Sequence, residues 1–269
     1  MLPTSSLIIA TYNWPKALQR CLKSVREQAV LPGEVLIADD GSREETKQLV
    51  ASMQSDFPVP LRHIWQEDKG FRLAKIRNRA NAAADGEYLI QVDGDLILHP
   101  DFVKDHLEAA TPGYFIGGSR VILGREFSEK LLDNQSLQPT VFRRGISNRL
   151  NALHSATLGS AASRIIKTKN AYNIRGCNMS YWKRDFIRVN GYNELYNGWG
   201  REDTDLIIRL YNAGLKRTYF KLRGIVFHLW HKESSKNYLP QNDEILQATI
   251  RERLVVCRDG IDQYIQPQL

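Results

Sequence analysis

Through its first hundred residues the chain alternates short apolar runs with segments whose apolar positions recur at helical spacing. Leu7-Ile8-Ile9-Ala10-Thr11 is an unbroken run of the length of a buried strand. Leu18, Cys21, Leu22 and Val25 then fall at i, i+3, i+4 and i+7, which predicts an amphipathic helix over 16–28. A second strand, Glu34-Val35-Leu36-Ile37-Ala38, stops at Asp39-Asp40-Gly41-Ser42. There Ser42 and Glu45 have the spacing of a capping box opening a helix over 43–53. A third strand is expected over 61–65 and a basic helix over 73–84. Tyr88-Leu89-Ile90-Gln91-Val92 makes a fourth strand that runs into Asp93-Gly94-Asp95. Strands alternating with helices imply an α/β fold, a mostly parallel sheet with right-handed crossovers flanked by helices. Ligands of such sheets collect at the carboxyl ends of the strands. Thr11-Tyr12-Asn13, Asp39-Asp40 and Asp93-Gly94-Asp95 stand at three such ends.

The second half is less regular. A strand is expected over 115–121, a loop-rich stretch with helical pieces over 124–172, a strand over 173–181 and a short helix over 183–189. Leu206, Ile207, Leu210 and Tyr211 share one face of a helix over 202–213. A strand over 219–227 leads to His228-Leu229-Trp230-His231, and a last helix is expected over 243–257. No internal repeat and no linker divides the chain, so 1–269 reads as one domain.

Composition narrows the class. The chain has 269 residues, 42% hydrophobic and 25% charged, and no stretch approaches the roughly 20 apolar residues of a membrane span. The N-terminus has no signal-peptide pattern. Cys21, Cys177 and Cys257, odd in number and far apart, favour a reducing compartment, hence the cytosol. The net charge of +7 is local: nine Lys or Arg and no acid lie between Asn134 and Arg184. Without those nine, the 37 basic residues fall to 28 against 30 acids. Such a patch suits phosphate groups, an anionic membrane surface or nucleic acid, and equally a merely solvated loop. No aromatic-interleaved RNA-binding signature accompanies it, so nucleic acid is not an expected partner.

Four clusters have the residue types of a reaction centre. In Asp93-Gly94-Asp95 two carboxylates flank one small residue just past a buried strand, where both can reach a divalent cation; the same tripeptide is also good turn chemistry. A carboxylate of Asp39-Asp40 can accept from a nucleobase or ribose, or simply cap a helix. In Gly198-Trp199-Gly200-Arg201-Glu202-Asp203-Thr204-Asp205, acids in a first helical turn are favoured by the helix dipole. A Trp between glycines lacks so simple a structural reason; its face suits a sugar ring, and a carboxylate beside it suits a base for a sugar hydroxyl. His228 and His231, three apart along a strand, should point to opposite faces, so one of them is expected to face the site.

Taken together, these motifs resemble family-2 glycosyltransferases of the Rossmann-like GT-A fold, especially the bacterial chondroitin-polymerase type. Thr11-Tyr12-Asn13-Trp14-Pro15, Ala38 to Ser42 and Val92 to Asp95 match its donor-side motifs. Gln66 to Arg72 followed by Arg77-Asn78 matches the segment between its third and fourth strands, and Gly198 to Asp205 matches the W-G-x-E-D motif of β-1,4-galactosyltransferases. The resemblance implies a nucleotide-sugar-binding half over about 1–123 and an acceptor-side, catalytic half over about 124–269. It implies that Asp40 contacts uracil in a pocket lined by Thr11, Tyr12 and Asn13, and that Asp68, Arg77, Asp93 and Trp199 bind the donor. Asp95 and His228 would hold Mn²⁺ or Mg²⁺, with Asp93 and His231 as the alternatives. Asp203 would be the general base, and Glu202 would hold a sugar. The implied reaction is metal-assisted, inverting transfer of a hexose or N-acetylhexosamine from a UDP-sugar to a hydroxyl of a glycan or lipid-linked glycan, giving a β-glycoside. The implied place is the cytoplasm, with peripheral contact at the inner membrane through the basic segment. Only one such domain is present, so a bifunctional polymerase is not expected. Rival readings are a sugar nucleotidyltransferase, although residues 11–17 lack its glycine-rich loop, and a non-catalytic nucleotide- or nucleic-acid-binding protein.

Overall fold

The computed structural model describes residues 2–134, 136–140, 145–166, 174–232 and 235–265. The first half runs β1 (Ser5–Thr11), α1 (Pro15–Arg26), β2 (Glu34–Asp39), α2 (Glu44–Gln54), β3 (Leu61–Trp65), α3 (Leu73–Ala83) and β4 (Tyr88–Asp93). The second half continues with β5 (Leu96–Leu98), α4 (Phe102–Ala109), β6 (Tyr114–Gly117), β7 (Val121–Leu123), α5 (Arg125–Asp133), β8 (Ile146–Ser147), α6 (Ala156–Ile165), β9 (Asn178–Trp182), α7 (Lys183–Arg188), α8 (Glu202–Asn212), β10 (Lys216–Thr218), β11 (Val226–His228) and α9 (Leu239–Arg251).

Seven strands form the main sheet in the order β10-β6-β9-β4-β1-β2-β3, parallel except that β9 runs antiparallel to both neighbours. Helices cover both faces, which is why β1 and β2 read as unbroken apolar runs rather than alternating ones. Leu18, Cys21, Leu22 and Val25 of α1 are all fully buried, as their spacing predicts. A smaller sheet, β5-β11-β7-β8, stands over its own core of Val121, Leu123, Phe127 and Phe227. The parallel register sets Thr11 level with Asp39 and Ala10 level with Asp93. The carboxyl ends of β1, β2 and β4 therefore open on one edge, and the acids that follow them share it.

Several expected elements differ. The strand expected over 115–121 is two strands in different sheets. The chain turns at Gly118, whose amide donates to the Asn178 carbonyl and whose missing side chain leaves room for the Asn178 amide. Only 226–228 of the expected 219–227 strand is extended, because Leu222 and Gly224 are left-handed at φ 61° and 55°. The last helix starts at Leu239 and ends at Arg251, two residues before Arg253 takes φ 51°. The strand expected over 173–181 forms at 178–182. No capping box opens α2: Ser42 Oγ instead accepts the Asn13 amide at 2.8 Å, and Asn13 Oδ1 accepts the Arg43 amide at 2.8 Å. Those bonds strap the loop after β1 to the loop after β2.

Of the nine basic residues of that segment, Arg143, Arg144, Lys167 and Lys169 lie outside the described residues. Among the described residues no helix is long and apolar enough to cross a membrane, and the three cysteines are buried and unpaired.

Candidate active site

A cleft of about 780 Å³ opens at the carboxyl ends of β1, β2 and β4. Its walls include Thr11, Asp40, Asp95, Trp199, Asp203 and His228, residues that are far apart in the chain.

One corner gathers metal-ligating groups. Asp95 Oδ2 lies 3.4 Å from His228 Nε2 and 3.2 Å from His231 Nε2, and ligand atoms of all three residues fall within 4.8 Å of one another. Both histidines therefore face the site. The expectation that one would point away fails because β11 ends at His228, and the chain then leaves extended geometry and brings His231 round. Asp95 Oδ1 is buried and has no hydrogen-bond partner, the state expected of an oxygen kept for a cation. Burial opposes ionisation of Asp95, but the hydrogen bond from His231 and the nearby His228 hold its carboxyl below the usual value. This donor set, two imidazoles and a carboxylate, suits Mn²⁺ or another first-row ion better than Ca²⁺. Asp93 is not part of the group; Arg77 has claimed it.

Arg77 is the keystone of the other corner. Its guanidinium is buried, with Nη2 2.8 Å from Asp93 Oδ1, Nη1 2.8 Å from Asp203 Oδ1, and Glu202 Oε1 at 3.7 Å. Arg77 lines the cleft, as a donor-pocket residue would, and also joins the Asp93-Gly94-Asp95 turn to the start of α8. Asp203 is gripped further: Oδ2 accepts the Gly176 amide at 2.8 Å, and the Tyr192 hydroxyl is 3.4 Å from Oδ1. Only a residue without a side chain fits at 176, since a Cβ there would lie 2.0 Å from Asp203 Oδ1. Glu202 is buried beside Asp203, and one of its oxygens, Oε2, has no partner. Burial and the Asp203 charge push it up to about 8, against the pull of Arg77. Burial and the other carboxylates likewise push Asp93 up to about 6. α8 itself starts from Arg201, whose φ of 81° is strained for a residue with a side chain.

At the end of β2, Asp40 accepts from Gln66 Nε2 at 2.5 Å and from the Arg72 amide at 2.7 Å, which fixes its carboxylate in the pocket wall. Burial raises its pKa. Thr11 lines the pocket beside Gly94. Tyr12 and Asp68 meet each other at the mouth through a 2.9 Å hydrogen bond, and Asn13 is spent on the strap to Ser42. Trp199 stands at the rim with the Lys236 ammonium 5.7 Å from its ring. Sequence reasoning overlooked Arg120, which lines the cleft and whose charge reaches Asp95, His228 and His231. It lies at the break between β6 and β7, where no motif flags it. It also missed Gly176 and Tyr192, which matter only through Asp203.

A model of glycosyl transferase family 2 matches residues 6–179, well over half of the chain and all of its donor-side motifs. The chain belongs to this family. It is a glycosyltransferase with the GT-A fold. A second model, the N-terminal domain of galactosyltransferase, matches residues 158–232, the stretch that carries Trp199, Glu202, Asp203 and both histidines. The glycosyltransferase is similar to the chondroitin synthase of Escherichia coli, 28% identical over 229 residues that cover 78% of this chain and 32% of that protein. It is similar also to the validoxylamine A glucosyltransferase of Streptomyces hygroscopicus subsp. limoneus, 27% identical over 80% of this chain and 49% of the relative. The chain thus spans between a third and a half of these curated relatives. Among solved structures, GalNAc-T7 with UDP, GalNAc and Mn²⁺ superposes with a TM-score of 0.64 at 15% identity, covering 97% of this chain and 53% of that one, a likeness of fold alone.

Proposed function

We propose that this glycosyltransferase moves a hexose or N-acetylhexosamine from a UDP-sugar to a glycan hydroxyl, with metal assistance and inversion at the anomeric carbon. The observation that carries the reading is the meeting, in one cleft, of the Asp95–His228–His231 group with the Arg77-braced Glu202–Asp203 pair. UDP and Mn²⁺ in the GalNAc-T7 structure support the choice of nucleotide and metal.

Asp95, His228 and His231 would hold the ion, with Asp95 Oδ1 as the oxygen still to be satisfied. When bound, such an ion neutralises negative charge gathering on the departing diphosphate. Arg120 adds a fixed positive charge at the same corner. Thr11 and Asp40 bind the nucleoside end. Asp203, oriented by Arg77 and the Gly176 amide, takes the proton of the attacking hydroxyl at a carboxylate oxygen. Glu202, protonated at neutral pH because its pKa lies near 8, donates a hydrogen bond to a sugar oxygen from its unpartnered carboxyl end. Trp199 covers the apolar face of the sugar and keeps water from the acceptor. A single base on the face opposite the leaving diphosphate makes the product β when the donor is α. The acceptor belongs to a polysaccharide or a lipid-linked oligosaccharide, reached at the cytoplasmic face of a membrane through the basic segment.

The test is thermal stabilisation by UDP, GDP and TDP, each with Mn²⁺ and with EDTA, on the native chain and on Asp95→Ala. Ligand at about 100 times its dissociation constant contributes roughly 2.7 kcal/mol, a clear shift in melting temperature. A UDP-selective, Mn²⁺-dependent shift that disappears in Asp95→Ala is the expected result. A shift with GDP alone, or one indifferent to EDTA, would overturn the donor or the metal part of the reading. Proton NMR of the first product then reads the anomeric configuration.

A further inference from the structure

A second group of imidazoles and carboxylates lies outside the cleft, one strand beyond Asp95. β5 carries the chain from Asp95 to His99, roughly 13 Å along an extended backbone. There His99, Asp101 and His154 bring one ligand atom each to within 4.8 Å of one another. The His99 and His154 rings stack with centroids 4.6 Å apart at 20°. Asp101 Oδ2 is 3.9 Å from His99 Nδ1 and 4.0 Å from His154 Nδ1, too far for a hydrogen bond in either case.

The protons sit elsewhere. His154 Nε2 is 2.9 Å from Oδ2 of Asp105, a buried carboxylate that also accepts the Gly224 amide at 2.8 Å and Arg223 Nε at 3.3 Å. A carboxylate on Nε2 holds a histidine in the Nε2–H tautomer and leaves Nδ1 unprotonated, as metal-ligating histidines are usually held. His99 Nδ1 accepts the Asp101 amide at 3.1 Å, so it too carries no proton. Two unprotonated imidazole nitrogens and a carboxylate oxygen thus lie close together with no proton shared between them. A doubly protonated His154 would instead draw Asp101 into hydrogen-bond contact. A first-row dication binds such ligands at about 2.0–2.2 Å, which sets tetrahedral neighbours roughly 3.4 Å apart. Closing the group to that spacing turns the two rings out of their stack, with the ion replacing the Asp101 amide at His99 Nδ1. All three residues are partly exposed, so an ion can enter from solvent.

We propose that His99, Asp101 and His154 form a second divalent transition-metal site, independent of the cleft and completed by water. Two imidazoles and one carboxylate favour Zn²⁺, Co²⁺, Ni²⁺ or Cu²⁺ over Mg²⁺ and Ca²⁺. The site joins two parts of the molecule. His99 belongs to the frame: its amide donates to the Ile225 carbonyl, and Gln28 donates to its carbonyl at 2.9 Å. His154 belongs to the loop-rich region that precedes β9. The neighbouring ties, the Ser155 amide to the Leu222 carbonyl and Lys221 Nζ to Asn151 Oδ1 at 2.7 Å, run between the same two parts. A bound ion therefore clamps 145–166 against the loop before β11 and the start of α4.

The proposal is independent of the reading of the cleft, and the test keeps the two apart. Tag-free protein is stripped with EDTA, dialysed and titrated with Co²⁺ without nucleotide, following the visible d–d bands and the bound metal. Asp95→Ala should still bind one Co²⁺ per chain with an imidazole-type spectrum. Adding His154→Ala should weaken that binding at least tenfold, and Zn²⁺ should raise the melting temperature of Asp95→Ala but not of the double variant. Native protein that loses its only Co²⁺ on His154→Ala would keep this site and reject the cleft site. Asp95→Ala that binds no Co²⁺, or binds it equally well with His154→Ala, overturns the proposal. Asp101→Asn, which preserves shape, should reproduce the loss if His154→Ala melts early in EDTA.

Discussion

Arg77 shows how much of this site depends on single charges. Its buried guanidinium faces Asp93 and Asp203, both half-buried, and the buried Glu202, so its removal leaves three neighbouring carboxylates without their countercharge. Breaking a buried pair by deleting one partner costs about 3–5 kcal/mol. Arg77→Met is expected to lose that much in urea denaturation; a change below about 1 kcal/mol would show that the three acids relax into solvent. Glu202 makes a prediction of opposite sign to the usual acid. Its pKa is near 8 folded against an ordinary 4.5, so the folded chain holds a proton there that the unfolded chain has released. Stability from this group is therefore full below about pH 4.5 and declines as pH rises to 8. Native protein should lose melting temperature relative to Glu202→Gln across that window, and a pH-independent difference would contradict the burial argument. Asp203→Asn should lower transfer by about 10²–10⁴ and leave the UDP-induced melting shift in place. The acids were legible in the sequence because Asp93-Gly94-Asp95 and Glu202-Asp203 are local motifs. The role of Arg77 was not, because its partners lie 16 and 126 residues away.

At the scale of elements, the site depends on how strand and helix ends meet. The segment entering β9 passes so close to the start of α8 that Gly176 donates its amide to Asp203 and has no space for a side chain. Gly176→Ala must push the carboxylate aside. Misplacing a reacting group by about 1 Å can cost on the order of 10² in rate. The expected outcome is a comparable fall in kcat with the UDP melting shift unchanged; full activity would mean that Asp203 is not held from this side. The strap between Asn13 and Ser42 does similar work on the other side of the cleft, tying the ends of β1 and β2 together. Hydrophobic runs and their period located α1, α3 and β1 to β4 well. They failed on 115–121 and 219–227, where left-handed residues and a change of sheet interrupt runs that read as continuous strands.

The whole molecule is more tightly woven than a division near residue 123 would allow. β9 comes from the second half yet sits between β4 and β6 of the main sheet, and Met179 and Tyr181 on it belong to the core beneath. A fragment ending at Leu123 would expose the edge of β4 and lack the partner of β6. It should aggregate or stay unfolded by circular dichroism and size exclusion, and a soluble monomer with native spectra would show that the N-terminal part folds alone. Weaving of this kind also explains why Asp95, on one side of β5, and His99, on the other, can serve two separate clusters while sharing one short strand.

The amino-acid sequence alone determined the α/β class, the edge of the sheet where ligands gather, and the acids that stand there. Those features are written in short-range periodicity and in motifs a few residues long. Tertiary structure decided which charges neutralise which. It paired Asp93 with Arg77, brought both His228 and His231 to Asp95, and set His154 against Asp101 and Asp105. Such pairings depend on where the chain turns between sheets, and a turn made by a few left-handed residues leaves little trace in a hydrophobic pattern.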